Sequence, residues 1–168
     1  MSGLDGFGAY QKALELFDLV VNDMTALQKD SRCYRLVAQQ VGSADSICAN
    51  IEEGYGRLGR REYIRFLDIA RGSARETQGR YRRMKHWLAQ DIVDHRAALC
   101  GEVIAILTSS IRRLRADMDN DQMNMAATRT VKEAGIEYET APVLLTLGES
   151  DKGQVSRETV SVPLTLDP

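Results

Sequence analysis

The stretch SICANIEEGYGRLGRREYIRFLDIARGS, residues 46–73, decides how this chain is read. Ser46, Asn50, Glu53 and Arg57 recur at steps of four, three and four, so they share one face of a helix. Gly54, Gly56 and Gly59 then punctuate the pattern. A second helical phase succeeds it, in which Ser73, Glu76 and Arg80 share a face. Two helices with so short a join are antiparallel neighbours, so the two polar rows can meet. A buried polar group without a partner costs about 1–3 kcal/mol. The expectation is therefore a register-setting lock: Ser46, Asn50, Glu53 and Arg57 of one helix answered by Ser73 and Glu76 of the next. A ligand pocket or a catalytic row built from the same residues are the alternatives. If the row is a lock, Asn50→Leu or Glu76→Ala impairs folding or assembly rather than a reaction.

Outward from this stretch the chain continues helical. Upstream, Ala13, Leu16, Phe17, Val20, Met24 and Leu27 keep helical spacing and predict a helix over residues 7–27. QKDSR breaks it, with Asp30 or Ser31 placed to cap the next helix. That second helix is predicted over 32–54, with Leu36, Val37, Val41, Ala44, Ile47, Cys48 and Ile51 as its apolar stripe. Tyr63, Phe66, Leu67, Ala70, Ala74, Thr77, Tyr81, Met84 and Leu88 predict a third over 59–89. Ala97, Cys100, Val103, Ile104, Leu107, Ile111, Leu114 and Met118 predict a fourth over 93–118, or a turn beyond. Four amphipathic helices with short joins give an all-α fold, an antiparallel up-down four-helix bundle over residues 1–118.

Residues 119–168 differ in character and read as an acidic tail, flexible or partner-docking. All three prolines of the chain lie there. PVLLTL and VPLTL flank GESDKG, so an extended or partly β tail with a hairpin is one reading. Pro163 interrupts one of these short runs, which argues against independent folding.

The totals narrow the function classes. The 168 residues suit one domain and a tail, and a 43% hydrophobic content suffices for a core. No apolar run reaches membrane-spanning length, and the N-terminus shows no secretion signal, so a cytoplasmic protein without membrane association is expected. Cys33, Cys48 and Cys100 form no CxxC pair and fit reduced thiols, two of them in apolar stripes. Neither His86 nor His95 follows a glutamate by three, so the Glu-x-x-His signature of di-metal bundles is missing, and no zinc-like cluster is visible. GYGRLG follows a helix rather than a strand and lacks the phosphate-loop lysine. No serine sits in a nucleophile context with a histidine base. No cofactor, no metal and no enzymatic activity are expected.

Charge is distributed unevenly. Residues 1–56 carry 4 basic and 8 acidic side chains, residues 57–115 carry 14 and 6, and residues 116–168 carry 4 and 10. The basic excess concentrates in the third helix: Arg57, Arg60, Arg61, Arg65, Arg71, Arg75, Arg80, Arg82, Arg83 and Lys85, opposed by Glu62, Asp68 and Glu76. Guanidinium groups suit bidentate phosphate or carboxylate binding. The pattern admits two readings, a solvated face with salt bridges or an electrostatic footprint for RNA or DNA. Tyr55, Tyr63 and Tyr81 are candidates for base stacking, although Tyr63 is in core phase.

YQKALEL, SADSICANIEEGYGR and EYIRFLDIARGSARET resemble the four-helix-bundle family named for proteins encoded in intervening sequences of bacterial 23S rRNA genes. The family pattern falls on Ser46, Ile47, Asn50, Ile51, Glu53, Gly54 and Arg57, then on Glu62, Phe66, Leu67, Ala70, Gly72, Ser73 and Glu76. The likeness spans residues 7–90 and leaves the tail outside it. It implies a protomer that assembles into a ring-like homopentamer without established catalytic activity. A related bundle, the accessory variability protein of diversity-generating retroelements, binds reverse transcriptase and nucleic acid, which implies a basic scaffold as a role here. The expectation is a non-enzymatic homo-oligomeric scaffold that binds nucleic acid through the third helix, as accessory to an enzyme such as a reverse transcriptase. The alternative is a protein-protein adaptor whose acidic tail docks a partner or masks the basic face.

Overall fold

The fold is set by where the apolar stripes run and where they end. A computed structural model describes residues 3–133; the tail readings over 134–168 lie outside the described residues. Four helices form: α1 Gly8–Leu27, α2 Tyr34–Tyr55, α3 Arg60–Arg83 and α4 Gln90–Glu133. No strand occurs among the described residues. Short 3-10 turns at Ser31–Cys33 and Met84–His86 lead into α2 and out of α3. The first is nucleated by Asp30, whose carboxylate accepts from the Arg32 backbone N–H at 2.9 Å. The third helix stops at Arg83, short of the predicted residue 89, because the chain tightens into the second of these turns before Trp87.

The stripes are buried in phase. Ala9, Ala13, Leu16, Val20, Met24 and Leu27 line α1, and Ala44, Ile47, Cys48 and Ile51 line α2. Ile64, Leu67, Ala70, Ala74 and Tyr81 line α3, and Leu99, Cys100, Val103, Leu107 and Ile111 line α4. These close one core. Burial of this apolar surface, at about 25 cal/mol per Å², is the main term holding the helices together.

Cross-helix contacts fix direction. Along the α2–α3 seam, Gln40 meets Thr77, Ser46 meets Ser73, and Gly54 lies against Phe66, so the numbers run oppositely and the pair is antiparallel. The α3–α4 pair is antiparallel by the same test, Gln78 reaching the Ala97 carbonyl at 2.8 Å and Arg71 lying at Thr108. So is α1–α4, through Lys12–Glu102 and Asp23–Arg96. Tyr10 of α1 donates to the Glu52 carboxylate of α2 at 2.7 Å.

Gly54 is a packing requirement. A Cβ there would sit 2.8 Å from the Phe66 Cβ and 3.1 Å from the Tyr63 ring, so only hydrogen lets α2 and α3 approach at their shared end.

The fourth helix departs from expectation. It continues to Glu133, well past residue 118. Its apolar phase stops near Met118, but residues 102–134 contain neither glycine nor proline, so nothing in the sequence breaks the helix there. The described residues up to Asn120 belong to one compact unit. In the second unit, which begins at Asp121, the side chains of residues 121–129 are all exposed.

Candidate nucleic-acid interface

The polar row at the α2–α3 seam is satisfied only in part across the helices. Ser46 Oγ and Ser73 Oγ lie 3.0 Å apart. Asn50 donates through Nδ2 to the Ser46 carbonyl at 2.7 Å and to Ser46 Oγ at 3.0 Å. Ser73 Oγ lies 3.2 Å from the Ile69 carbonyl. Each hydroxyl has one proton, so a consistent chain runs from Asn50 to Ser46, to Ser73, to the Ile69 carbonyl.

The charged members do not join this chain. Glu53 pairs with Arg57 one turn away, and Glu76 pairs with Arg80 at 3.3 Å, again one turn away. The expected cross-helix meeting of Glu53 and Arg57 with Glu76 is thus corrected to two intrahelical pairs. The Glu53 and Glu76 side chains are 51% and 64% exposed, and hydrated carboxylates have no reason to enter the seam.

The inward lock continues instead through residues that the four-residue spacing did not single out. Thr77 Oγ1 lies 2.9 Å from Ser43 Oγ, and Ser43 Oγ lies 3.1 Å from the Gln40 carbonyl. Gln40 in turn donates to the Thr77 carbonyl at 3.3 Å. Gln40, Ser43 and Thr77 are buried, so this second rung, a turn further from the glycine join, is the drier one.

A third polar cluster ties α1, α3 and α4. Asp23 accepts from Tyr81 Oη at 2.9 Å, from Arg96 Nε at 2.9 Å and from Arg96 Nη2 at 3.2 Å. Asp23 is 8% and Arg96 14% exposed. Burial first, and then the Asp23 hydrogen bond, push the Tyr81 hydroxyl well above the ordinary tyrosine range. Tyr81 is fully buried and so is withdrawn from the set of stacking candidates, whereas Tyr55 is half exposed. A signal for the cluster was present, since Asp23 follows Leu16 by seven and precedes Leu27 by four and so holds a core position.

The ten basic residues from Arg57 to Lys85, on α3 and the turns at either end of it, differ in their surroundings. Arg71 and Arg80 lie folded against the protein, with side chains only 21% and 15% exposed. Arg57 and Arg65 are exposed but engaged: each pairs with a glutamate, and their guanidinium carbons lie 5.1 Å and 5.9 Å from the centre of the Phe66 ring. Arg61, Arg75, Arg82, Arg83 and Lys85 are exposed and make no ion pair among the described residues. Arg60 is exposed as well. The ten residues therefore do not act as one uniform surface; an unneutralised subset remains. Arg112, Arg113 and Arg115 of α4 add exposed positive charge that reading the third helix alone leaves out.

No group of three or more His, Cys, Asp and Glu side chains is placed to hold a metal among the described residues. Cys33, Cys48 and Cys100 are buried free thiols. Burial pushes Cys48 and Cys100 up to about 12, so they are protonated and poor nucleophiles near neutrality. No helix among the described residues is long and apolar enough to cross a membrane.

Comparison with known proteins agrees with this architecture. A crystal structure of a protein of unknown function from the S23 ribosomal protein family of Bacteroides thetaiotaomicron superposes with a TM-score of 0.58 at 25% identity, covering 61% of this chain and 97% of that one. No curated protein matches significantly. The family model of the 23S rRNA-intervening sequence protein matches residues 7–109, which take in the serine-asparagine seam, the Gly54 close approach and the whole arginine helix. With more than half of its length so matched, this chain belongs to the 23S rRNA-intervening sequence protein family.

Proposed function

We propose that this protein is a non-enzymatic, cytoplasmic scaffold whose up-down helical protomers assemble into a ring-like homopentamer and bind nucleic acid, RNA or DNA. The unneutralised cations of α3 supply the attraction, and the protein serves as accessory to a nucleic-acid enzyme such as a reverse transcriptase. One observation carries the reading: Arg61, Arg75, Arg82, Arg83 and Lys85 are exposed with no carboxylate partner among the described residues. Exposed guanidiniums that no carboxylate satisfies favour phosphate, which they bind with paired, charge-assisted hydrogen bonds. Repetition of the surface around a ring adds avidity without new contacts. Membership of a family named for an rRNA-borne sequence supports an RNA partner.

Fluorescence anisotropy with a labelled single-stranded RNA, its DNA counterpart and a duplex tests the reading. The triple variant Arg75→Glu, Arg82→Glu, Arg83→Glu is expected to lose at least tenfold in affinity at 50 mM salt, and light scattering is expected to give a five-subunit mass. Wild-type protein that binds none of the probes at that salt overturns the proposal.

The acidic excess of residues 116–168, 10 acidic against 4 basic, favours a second reading in which this segment masks the basic face or docks a protein partner. Truncation after residue 133 that strengthens RNA binding supports masking.

A further inference from the structure

The α3–α4 seam carries a second concentration of positive charge, which shares Arg61 with the exposed cations of α3 but not Arg75, Arg82 or Arg83. A hollow of about 450 Å³ opens there, lined by Arg71, Thr108, Ile111, Arg112, Arg115 and Asp119 among others. A smaller one, of about 260 Å³, shares Arg115 and Asp119 and adds Arg61, Ile64 and Met118. The shared residues join the two into one trough. It spans α3 from residue 61 to residue 71, about 15 Å at the helical rise.

The lining is unbalanced. Four guanidiniums face it against one carboxylate, Asp119. Arg61, Arg112 and Arg115 make no ion pair among the described residues. Arg71 is held in place by Asp68 and has capacity to spare: its Nη1 reaches Thr108 Oγ1 only at 3.5 Å, and its buried Nε has no hydrogen-bond partner. Thr108 has its own proton at the Ile104 carbonyl, 2.7 Å away, and so offers Arg71 an acceptor and nothing stronger. Ile64, Ile111 and Met118 give the trough an apolar floor, which lowers the local dielectric and strengthens the field of the arginines above it. A carboxylate ligand would satisfy one guanidinium. A tetrahedral phosphate presents enough oxygens to engage several at once.

We propose that this trough is a phosphate-binding site, in which Arg71, Arg112 and Arg115 hold a phosphate group and Arg61 the next one along a chain of phosphates. It deepens the nucleic-acid reading by naming the place where the backbone is gripped, and it rests on that reading only for the macromolecule. The chemistry alone, several phosphates in a row, is shared by a nucleic-acid strand and a free oligophosphate. Asp119 tunes the site by opposing its charge.

The test uses the full chain and two probes, inorganic tripolyphosphate by titration calorimetry and a labelled 12-nucleotide RNA by anisotropy. Arg112 and Arg115 are exposed, so Arg112→Glu with Arg115→Glu is expected to leave the thermal melt unchanged while lowering affinity for both probes at least tenfold. Asp119→Asn is expected to raise affinity for both about threefold, a gain that no folding defect can imitate. The outer-face triple variant at Arg75, Arg82 and Arg83 is expected to weaken RNA and spare tripolyphosphate. If wild-type protein binds tripolyphosphate but no RNA, the trough stands and the nucleic-acid reading falls. If RNA binding depends on the outer face alone and both trough variants match wild type on both probes, the trough falls and the nucleic-acid reading stands. If neither probe binds, both are overturned.

Discussion

Replacing Asp23 by Asn tests how much of the fold depends on one nearly buried ion pair. The substitution keeps shape and removes charge. Asp23 accepts three hydrogen bonds, from Tyr81 Oη and from two nitrogens of Arg96, at 2.9–3.2 Å. An asparagine has one acceptor oxygen for the three donors, and its amide protons would face the guanidinium. Arg96 would keep its charge at 14% exposure with no carboxylate against it. Removing one partner of a fully buried pair costs about 3–5 kcal/mol as a rule; the residual access of water at Arg96 lowers that to about 2–3 kcal/mol. For a cooperative unit of this size such a loss lowers Tm by roughly 10 °C. Thermal and urea melts followed by circular dichroism measure it, and Arg96→Gln with the double variant completes a cycle. The single losses are expected to exceed the double loss once summed, with a coupling of about 1.5 kcal/mol or more. A variant that melts within about 2 °C of wild type, or losses that simply add, would refute the reasoning.

Other perturbations separate the packing and polar terms. Gly54→Ala forces a methyl to 2.8 Å from the Phe66 Cβ and is expected to cost about 1–3 kcal/mol by urea melts. Thr77→Val removes the hydroxyl that faces Ser43 while keeping volume, at an expected cost of about 1–2 kcal/mol; Glu76→Ala removes a carboxylate that is 64% exposed but leaves Arg80, only 15% exposed, without its ion pair, and is expected to cost about 1 kcal/mol in the same assay. Burial pushes the Cys100 thiol up to about 12, from its usual 9.0. Folding therefore favours the protonated thiol; that stability is fully present below pH 9 and is lost as pH rises towards 12. Cys48 and Tyr81 shift in the same direction, so the urea midpoint is expected to fall steadily above about pH 9; a flat midpoint to about pH 11 would contradict this.

The four helices were legible because each apolar stripe keeps one helical phase, and burial follows that phase in the main; Phe17, Leu36, Val37, Val41, Tyr63 and Phe66 are only half-buried, whereas Ile64 and Leu99, which the stripes as read leave out, are buried. The end of α4 was not, because apolar periodicity reports packing and falls silent where a helix continues without it. The seam was half legible. Ser46, Asn50 and Ser73 do meet, yet spacing alone cannot tell a serine that finds a partner across the seam from a glutamate that finds an arginine one turn along its own helix. Gln40, Ser43 and Thr77 were hidden in the opposite way: they stand in core phase and so pass for packing positions. The pairing of Asp23 with Arg96 spans 73 residues, and no local pattern encodes such a partner. In the basic surface, composition located the arginines, but only the folded chain separates those already engaged from those left unneutralised.

The salt dependence of RNA binding tests the central claim most directly. Each cation that neutralises a phosphate of a single strand contributes about −0.7 to the slope of log K against log salt. Five unneutralised side chains on and just beyond α3 predict a slope of about −3.5 per protomer engaged, steeper if the α4 arginines join. A slope near zero between about 50 and 300 mM salt, or no binding at the lower end, would contradict the account.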